Sequence, residues 1–174
     1  MSPREKFLVT GASGFIGGWL AELLYQDGSA DVRAGIRSWS SAARLARFPM
    51  EIVLCDVMNT EQITQAMDGV NCIIHSAYGS MDVTIQGTKN MLDSALKLGI
   101  QRFIHLSTTE VYGNVTGKID EMFPYQYTGN PYGDSKIEAE KAAKDAFNNC
   151  SKRGESATVE IVLKESLKAL GKWK

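Results

Sequence analysis

Cysteine, proline and excess charge are all scarce in this chain, and each scarcity excludes a class of protein. The three cysteines, Cys55, Cys72 and Cys150, are odd in number and match no metal-site spacing. Neither a disulfide framework nor a zinc module is expected, and the thiols read as reduced groups of a cytoplasmic protein. Nineteen basic and twenty acidic residues leave a net charge of -1, which offers no footprint for nucleic acid or an anionic membrane. Long hydrophobic runs are missing too. The first apolar run, inside Lys6–Thr10, meets Gly11 at once and is too short for a signal peptide or a membrane span. Without a secretory signal, the patterns Asn114-Val-Thr116 and Asn149-Cys-Ser151 read as chance matches to a glycosylation site.

What the chain does have is ordinary globular usage, with 44% hydrophobic and 22% charged residues in 174, enough for one domain. Short apolar runs alternate with longer amphipathic stretches. Strands are expected at Lys6–Thr10, Asp31–Ile36, Glu51–Cys55, Asn71–His75, Gln101–Leu106 and Thr158–Leu163. Helices are expected at Phe15–Tyr25, Ser41–Arg47, Thr60–Met67 with Thr60 as cap, Val83–Leu98 stopped by Gly99, and Tyr132–Asn148. A polar stretch, 113–131, carries two of the four prolines. Such alternation implies an α/β fold, a three-layer, doubly wound parallel sheet of about six strands. Residues 1–163 read as a Rossmann-type nucleotide-binding domain. Residues 164–174 read as a divergent tail, helical by the spacing of Leu163, Leu167 and Leu170. Residues 151–174 carry +3 against -4 for the rest.

Between the first strand and helix lies Thr10-Gly-Ala-Ser-Gly-Phe-Ile-Gly17. Gly11 permits a tight turn, Gly14 lets the backbone approach a pyrophosphate, and Gly17 lets the helix pack closely on the sheet. The helix N-terminus, around Ser13, Phe15 and Ile16, offers N–H groups and a positive dipole end to phosphates. A second constellation is Tyr132-Gly-Asp-Ser-Lys136, which sets a phenol and an ammonium one helical turn apart on one face. Asn130-Pro131 specifies where that helix starts. The ammonium and the positive helix end both favour the phenolate form, so Tyr132 is the candidate acid/base for a substrate hydroxyl.

The glycine run resembles the nucleotide loop of the short-chain dehydrogenase/reductase superfamily. Its Gly-Phe-Ile-Gly points to the extended branch, the NAD(P)-dependent epimerase/dehydratase family. Asp56-Val57 resembles the family's adenine-contacting site. His75-Ser-Ala77 resembles its His-x-Ala, where backbone at Ala77 passes the cofactor, and no chemistry is assigned to His75. Gly87-Thr-Lys-Asn90 resembles its Gly-Thr-x-Asn helix motif. Phe103-Ile-His-Leu-Ser-Thr-Thr-Glu-Val-Tyr-Gly113 is similar to its Ser-(Ser/Thr)-x-x-Val-Tyr-Gly segment. Matching on Val111-Tyr112-Gly113 puts Thr108 at the catalytic hydroxyl position, beside Tyr132 and Lys136. The resemblance also implies that Lys136 hydrogen-bonds the nicotinamide ribose. By the same likeness, the helices at 83–98 and 132–148 could pair across a homodimer. The match spans about residues 5–150.

Three departures bear on function. The second strand ends in Ile36-Arg37-Ser38 with no acid for a ribose diol. A guanidinium suits a 2′-phosphate by charge and fork geometry, so NADP is expected over NAD. Where sugar dehydratases of the family carry Thr-Asp-Glu, this chain has Thr108-Thr109-Glu110, and Thr109 cannot protonate a leaving hydroxyl. Thr84 stands where the family has Asn ahead of its Gly-Thr motif. After Leu163 the family's substrate domain has no counterpart in these residues. The expected activity is that of an oxidoreductase or epimerase core, by hydride transfer at a carbonyl or secondary alcohol of a small molecule, with nucleotide sugars among the candidate substrates. A ketoreductase of dihydroflavonol-reductase type, suggested by Val32-Arg33-Ala34 and Arg37, is the alternative enzyme. A non-catalytic cofactor-binding module is the alternative class.

Overall fold

A computed structural model describes residues 4–120, 122–152 and 157–163. Six parallel strands form one sheet in the order β3-β2-β1-β4-β5-β6. They are β1 Lys6–Thr10, β2 Asp31–Ile36, β3 Glu51–Leu54, β4 Cys72–His75, β5 Arg102–Ser107 and β6 Thr158–Leu163. The helices are α1 Phe15–Asp27, α2 Thr60–Ala66, α3 Met81–Lys97 and α4 Pro131–Lys152. The order reverses between β1 and β4, and a crevice opens there at the carboxyl ends of the strands.

Both faces of the sheet are buried, which is why its strands read as nearly unbroken apolar runs. On one face Ala21, Ile16 and Leu20 of α1 pack with Val9, Ala34 and Ile36, and Leu45 seals the edge. On the other, Ile63 and Met67 join Met91, Leu92 and Ala143 over Leu8, Ile73 and Phe103. Helices α2, α3 and α4 cover this face. Arg33 is also buried, donating 2.7 Å hydrogen bonds to the carbonyls of Ala66 and Asp68. It ties β2 to the end of α2.

Several boundaries differ from expectation for local reasons. Asn59, not Thr60, caps α2, its side chain accepting from the N–H groups of Glu61 and Gln62. Ser80 caps α3 through Val83 N–H, so that helix begins at Met81 rather than Val83. The single helix expected over Ser41–Arg47 is instead two 3-10 turns, Trp39–Ser41 and Leu45–Arg47. Glu22 on α1 holds the second turn by ion pairs to Arg44 and Arg47. Gly99 follows α3 with φ +68°, the left-handed stop that its position implied. Cys55 and Cys72 are buried free thiols, and burial pushes the Cys55 thiol up to about 12. The expected tail helix, 164–174, lies outside the described residues.

Candidate functional site

A cavity of about 570 Å³ runs along the carboxyl ends of β1 to β5. It gathers all twelve residues that the sequence assigned to a cofactor: the loop residues Gly11, Ser13, Gly14, Phe15, Ile16 and Gly17, then Arg37, Asp56, Val57 and Ala77, and finally Tyr132 and Lys136.

The glycine loop is built for close approach. Gly11 has φ +66°, and a Cβ there would stand 2.9 Å from the backbone of Ala77. Gly14 N–H closes the turn on the Gly11 carbonyl at 2.9 Å. A Cβ on Gly17 would run into that same carbonyl and the Ser76 hydroxyl, so Gly17 seats α1 against the sheet. At Gly14 the nearest protein atom to a Cβ is Gly11 O at 3.1 Å, and Gly14 lines the cavity. No side chain caps the first turn of α1. The loop is therefore a backbone cradle at a positive helix end, and it fits a pyrophosphate.

Arg37 is exposed at the end of β2, lines the cavity with Ser38 and Ser41, and makes no ion pair among the described residues. Asp56 is fixed by its own turn, its carboxylate accepting Met58 N–H at 2.9 Å. Val57 is held from behind by the Gly-Thr-x-Asn motif. Gly87 leaves room for its side chain, and Asn90 Nδ2 donates to its carbonyl at 3.0 Å. Thr88 bonds His75 Nε2 at 3.1 Å while Thr10 meets Nδ1 at 2.8 Å. His75 is thus a core residue spanned by two hydroxyls. Thr84, in place of the family's Asn, accepts Gly79 N–H at 3.3 Å and steadies the bend after β4.

At the far end stand Tyr132 and Lys136, on the first two turns of α4. Asn130 accepts Tyr132 N–H at 3.1 Å, and Asp134 accepts from the N–H groups of Thr128 and Gly129. Lys136 is 4% exposed and donates to the Leu106 carbonyl at 2.8 Å. Tyr132 meets the ring of Tyr78 edge to face, with centroids 5.0 Å apart. Thr108 is fully buried just past β5 and does not line the cavity; its hydroxyl accepts Glu110 N–H at 3.4 Å, starting a 3-10 turn over Thr109–Tyr112. Its neighbour Ser107 does line the cavity. Glu110 is outside it and binds Asn130 Nδ2 at 2.8 Å.

The sequence reading missed Ser41, Ser76, Tyr78, Val83, Leu106 and Ser107 as lining residues. Position was the available signal for Ser76, Tyr78 and Ser107, each of which flanks a residue already assigned; Ser41, Val83 and Leu106 carried none. It also missed a buried chain of polar groups. Ser107 donates to one oxygen of Glu140, Tyr125 donates to the other at 2.7 Å, and Lys144 donates to the Tyr125 hydroxyl at 2.6 Å. Burial, then the Glu140 contact, raises the Tyr125 phenol above its ordinary range. Among the described residues there is no cluster of metal ligands and no helix long and apolar enough to cross a membrane.

Residues 7–151 match the model of the NAD dependent epimerase/dehydratase family. A 3-beta-hydroxysteroid dehydrogenase of Mycolicibacterium neoaurum is 30% identical over 155 residues, 78% of this chain and 42% of that protein. The 3 beta-hydroxysteroid dehydrogenase type 7 of Mus musculus is 28% identical over 167 residues, 83% of this chain and 45% of its own. Among solved structures, the dTDP-glucose 4,6-dehydratase of Streptomyces venezuelae, with NAD bound, superposes with a TM-score of 0.78. It is 27% identical, covering 91% of this chain and 55% of that one. The chain thus spans about half the length of these relatives.

Proposed function

The chain belongs to the NAD dependent epimerase/dehydratase family, and from that premise we propose that it binds a nicotinamide dinucleotide and serves as an oxidoreductase of a secondary alcohol–carbonyl pair. The observation that carries the reading is one cavity holding the glycine cradle at one end and Tyr132 with Lys136 at the other. Gly11, Gly14 and Gly17 would take the pyrophosphate, Asp56 and Val57 the adenine side, and Ala77 and Lys136 the nicotinamide side. The bound nicotinamide would supply or accept the hydride.

The remaining work falls to side chains of this chain. The Tyr132 phenol gives its proton to the substrate oxygen in reduction and takes it back in oxidation. The Lys136 ammonium, buried and fixed on the Leu106 carbonyl, stabilises the phenolate left behind. Thr108, by its place in the family segment, orients the substrate oxygen. Elimination of water is disfavoured, because Thr109 is no acid and the Glu110 carboxylate is spent on Asn130 outside the cavity. The hydroxysteroid dehydrogenases among its relatives favour oxidoreduction over dehydration.

For the cofactor we favour NADP, because Arg37, Ser38 and Ser41 line the cavity just past β2, where the sequence carries no acid. The NAD present in the solved relative stands against this preference. The test is Tyr132→Phe. Cofactor affinity, read by titrating reduced nicotinamide fluorescence, should stay within threefold. Turnover of a carbonyl panel should fall at least 10²-fold, as expected for losing a general acid. Unchanged turnover would overturn the assignment.

A further inference from the structure

We propose that Glu140 is a specificity-determining residue for the redox state of the cofactor: its buried carboxylate offsets the Lys136 ammonium, so that the cavity holds the oxidised, cationic nicotinamide as well as the neutral, reduced one. The proposal deepens the reading above and rests on it for the binding of a nicotinamide dinucleotide beside Lys136.

Lys136 brings an uneven charge to this end of the cavity. Its ammonium lines the wall, is 4% exposed, and donates to the neutral carbonyl of Leu106. Its field carries through the interior: burial first, and then the Lys136 ammonium, hold His75 and His105 below their ordinary range. A nicotinamide ring gains a positive charge when it is oxidised. Next to an ammonium alone, the oxidised ring would be repelled and the reduced ring would not.

Most carboxylates near this end are placed to do little about it. Asp56, the only carboxylate among the described lining residues, belongs to the adenine side. Glu110 is outside the cavity on Asn130, and Asp134 is turned to the N–H groups of Thr128 and Gly129. Glu140 is placed otherwise. It is 2% exposed and lies one helical turn beyond Lys136 on the same stripe of α4. Ser107, which lines the cavity, donates to it, so the carboxylate stands directly behind the wall. Its other oxygen accepts the Tyr125 hydroxyl at 2.7 Å, and the exposed Lys144 donates to Tyr125 at 2.6 Å. Two hydroxyl donors stabilise a carboxylate without cancelling its charge, and in a low dielectric that charge acts on the neighbouring cavity. The effect on the bound couple follows by linkage. Whatever holds the oxidised ring more firmly, relative to the reduced one, makes the bound reduced cofactor the stronger hydride donor.

The experiment titrates the whole chain with NADP⁺ and with NADPH by calorimetry, with NAD⁺ and NADH run alongside, and reads the ratio of oxidised to reduced Kd. A change that merely loosens the site weakens both forms and leaves the ratio alone. Glu140→Gln should raise the ratio at least fivefold. Glu140→Asp, which keeps the charge, should stay within twofold of the parent. Lys144→Ala removes a positive charge from the far side of the carboxylate and should move the ratio the other way, by about twofold. Because Lys144 is exposed, that variant decides the matter even if Glu140→Gln does not fold. The proposal is overturned if Glu140→Gln weakens both forms equally, since the carboxylate would then only hold Ser107 in place. It is also overturned if Lys144→Ala leaves the ratio unchanged or shifts it toward the reduced form. A parent chain that binds neither form would overturn the proposed function, and this proposal with it; that titration is run first.

Discussion

Mild acid should destabilise this chain before its carboxylates titrate. The sequence has two histidines, His75 and His105. They face each other across β4 and β5, 1% and 0% exposed, with ring centroids 5.6 Å apart. His75 is satisfied as a neutral ring, one nitrogen donating and one accepting, between Thr10 and Thr88. Among the described residues, neither ring nitrogen of His105 has a hydrogen-bond partner. Burial, and then the Lys136 ammonium, pushes His75 down to about 3 and His105 well below its ordinary range. Unfolding exposes both rings to water, where they titrate near ~6.5.

The sign follows from proton counting. Below about pH 6.5 the unfolded chain binds more protons than the folded one, so stability falls as pH falls. Each histidine contributes a slope that approaches about 1.4 kcal/mol per pH unit below its unfolded pKa, and both together lower stability by about 3 kcal/mol between pH 6.5 and 5. That is a large share of the ~5–15 kcal/mol typical of a domain. Carboxylates enter later. Glu51, for instance, is held below the usual carboxylate range by the Arg33 guanidinium beside it. The assay is urea unfolding at pH 7.5, 6.5, 5.5 and 5.0, on the parent and on His105→Phe. The variant should lose about half of the slope. Equal stability at pH 7.5 and 5.0, or an unchanged slope in the variant, would refute the reasoning.

Three further outcomes are expected. Gly14→Val should abolish binding of reduced nicotinamide dinucleotide, because its side chain would project into the cradle; circular dichroism should be almost unchanged, as one oxygen at 3.1 Å is the nearest protein neighbour. Arg37→Asp should cut NADPH affinity by tenfold or more and improve NADH, with equal parent affinities for the two arguing against a 2′-phosphate site there. Glu140→Ala should cost roughly 1–3 kcal/mol in chemical denaturation, since Glu140 is 2% exposed and its removal strands the Ser107 and Tyr125 hydroxyls; no loss of stability would mean that the carboxylate is solvated.

Legibility followed the physics of each feature. The sheet was readable because a doubly covered strand must be apolar throughout, as in Cys72–His75, and because Gly11 and Gly99 mark turns that need positive φ. Asp31–Ile36 and Thr158–Leu163 match their expected ends. Asn59 and Ser80 were not chosen as caps because Thr60 and neighbouring polar residues compete on type alone, and only geometry shows whose oxygen faces the next N–H. The glycine loop was legible because its contacts are local, a strand, a loop and a helix start within twelve residues. The Ser107–Glu140–Tyr125 chain was not, since its members are 33 and 15 residues apart and each alone reads as a surface polar residue. The Tyr78 contact was hidden similarly, because the ring it meets is that of Tyr132, 54 positions later.

Those long-range contacts explain how Tyr132 and Lys136 are held in place. Tyr132, Lys136 and Glu140 follow one another at intervals of four along one stripe of α4. The end of β5 and the turn after it meet that stripe rung by rung. The Glu110 carboxylate takes Asn130, which caps the turn bearing Tyr132. The Leu106 carbonyl takes Lys136, and the Ser107 hydroxyl takes Glu140. Two of the three rungs involve an ionised group wholly or nearly buried, where such bonds are stronger than in water. Thr108 sits within this anchored stretch, fully buried between Ser107 and Thr109. Its position relative to Tyr132 is therefore set by its neighbours' bonds as much as by its own. Sliding α4 along β5 would break all three rungs together, so Tyr132, Lys136 and the strand end must move as one body.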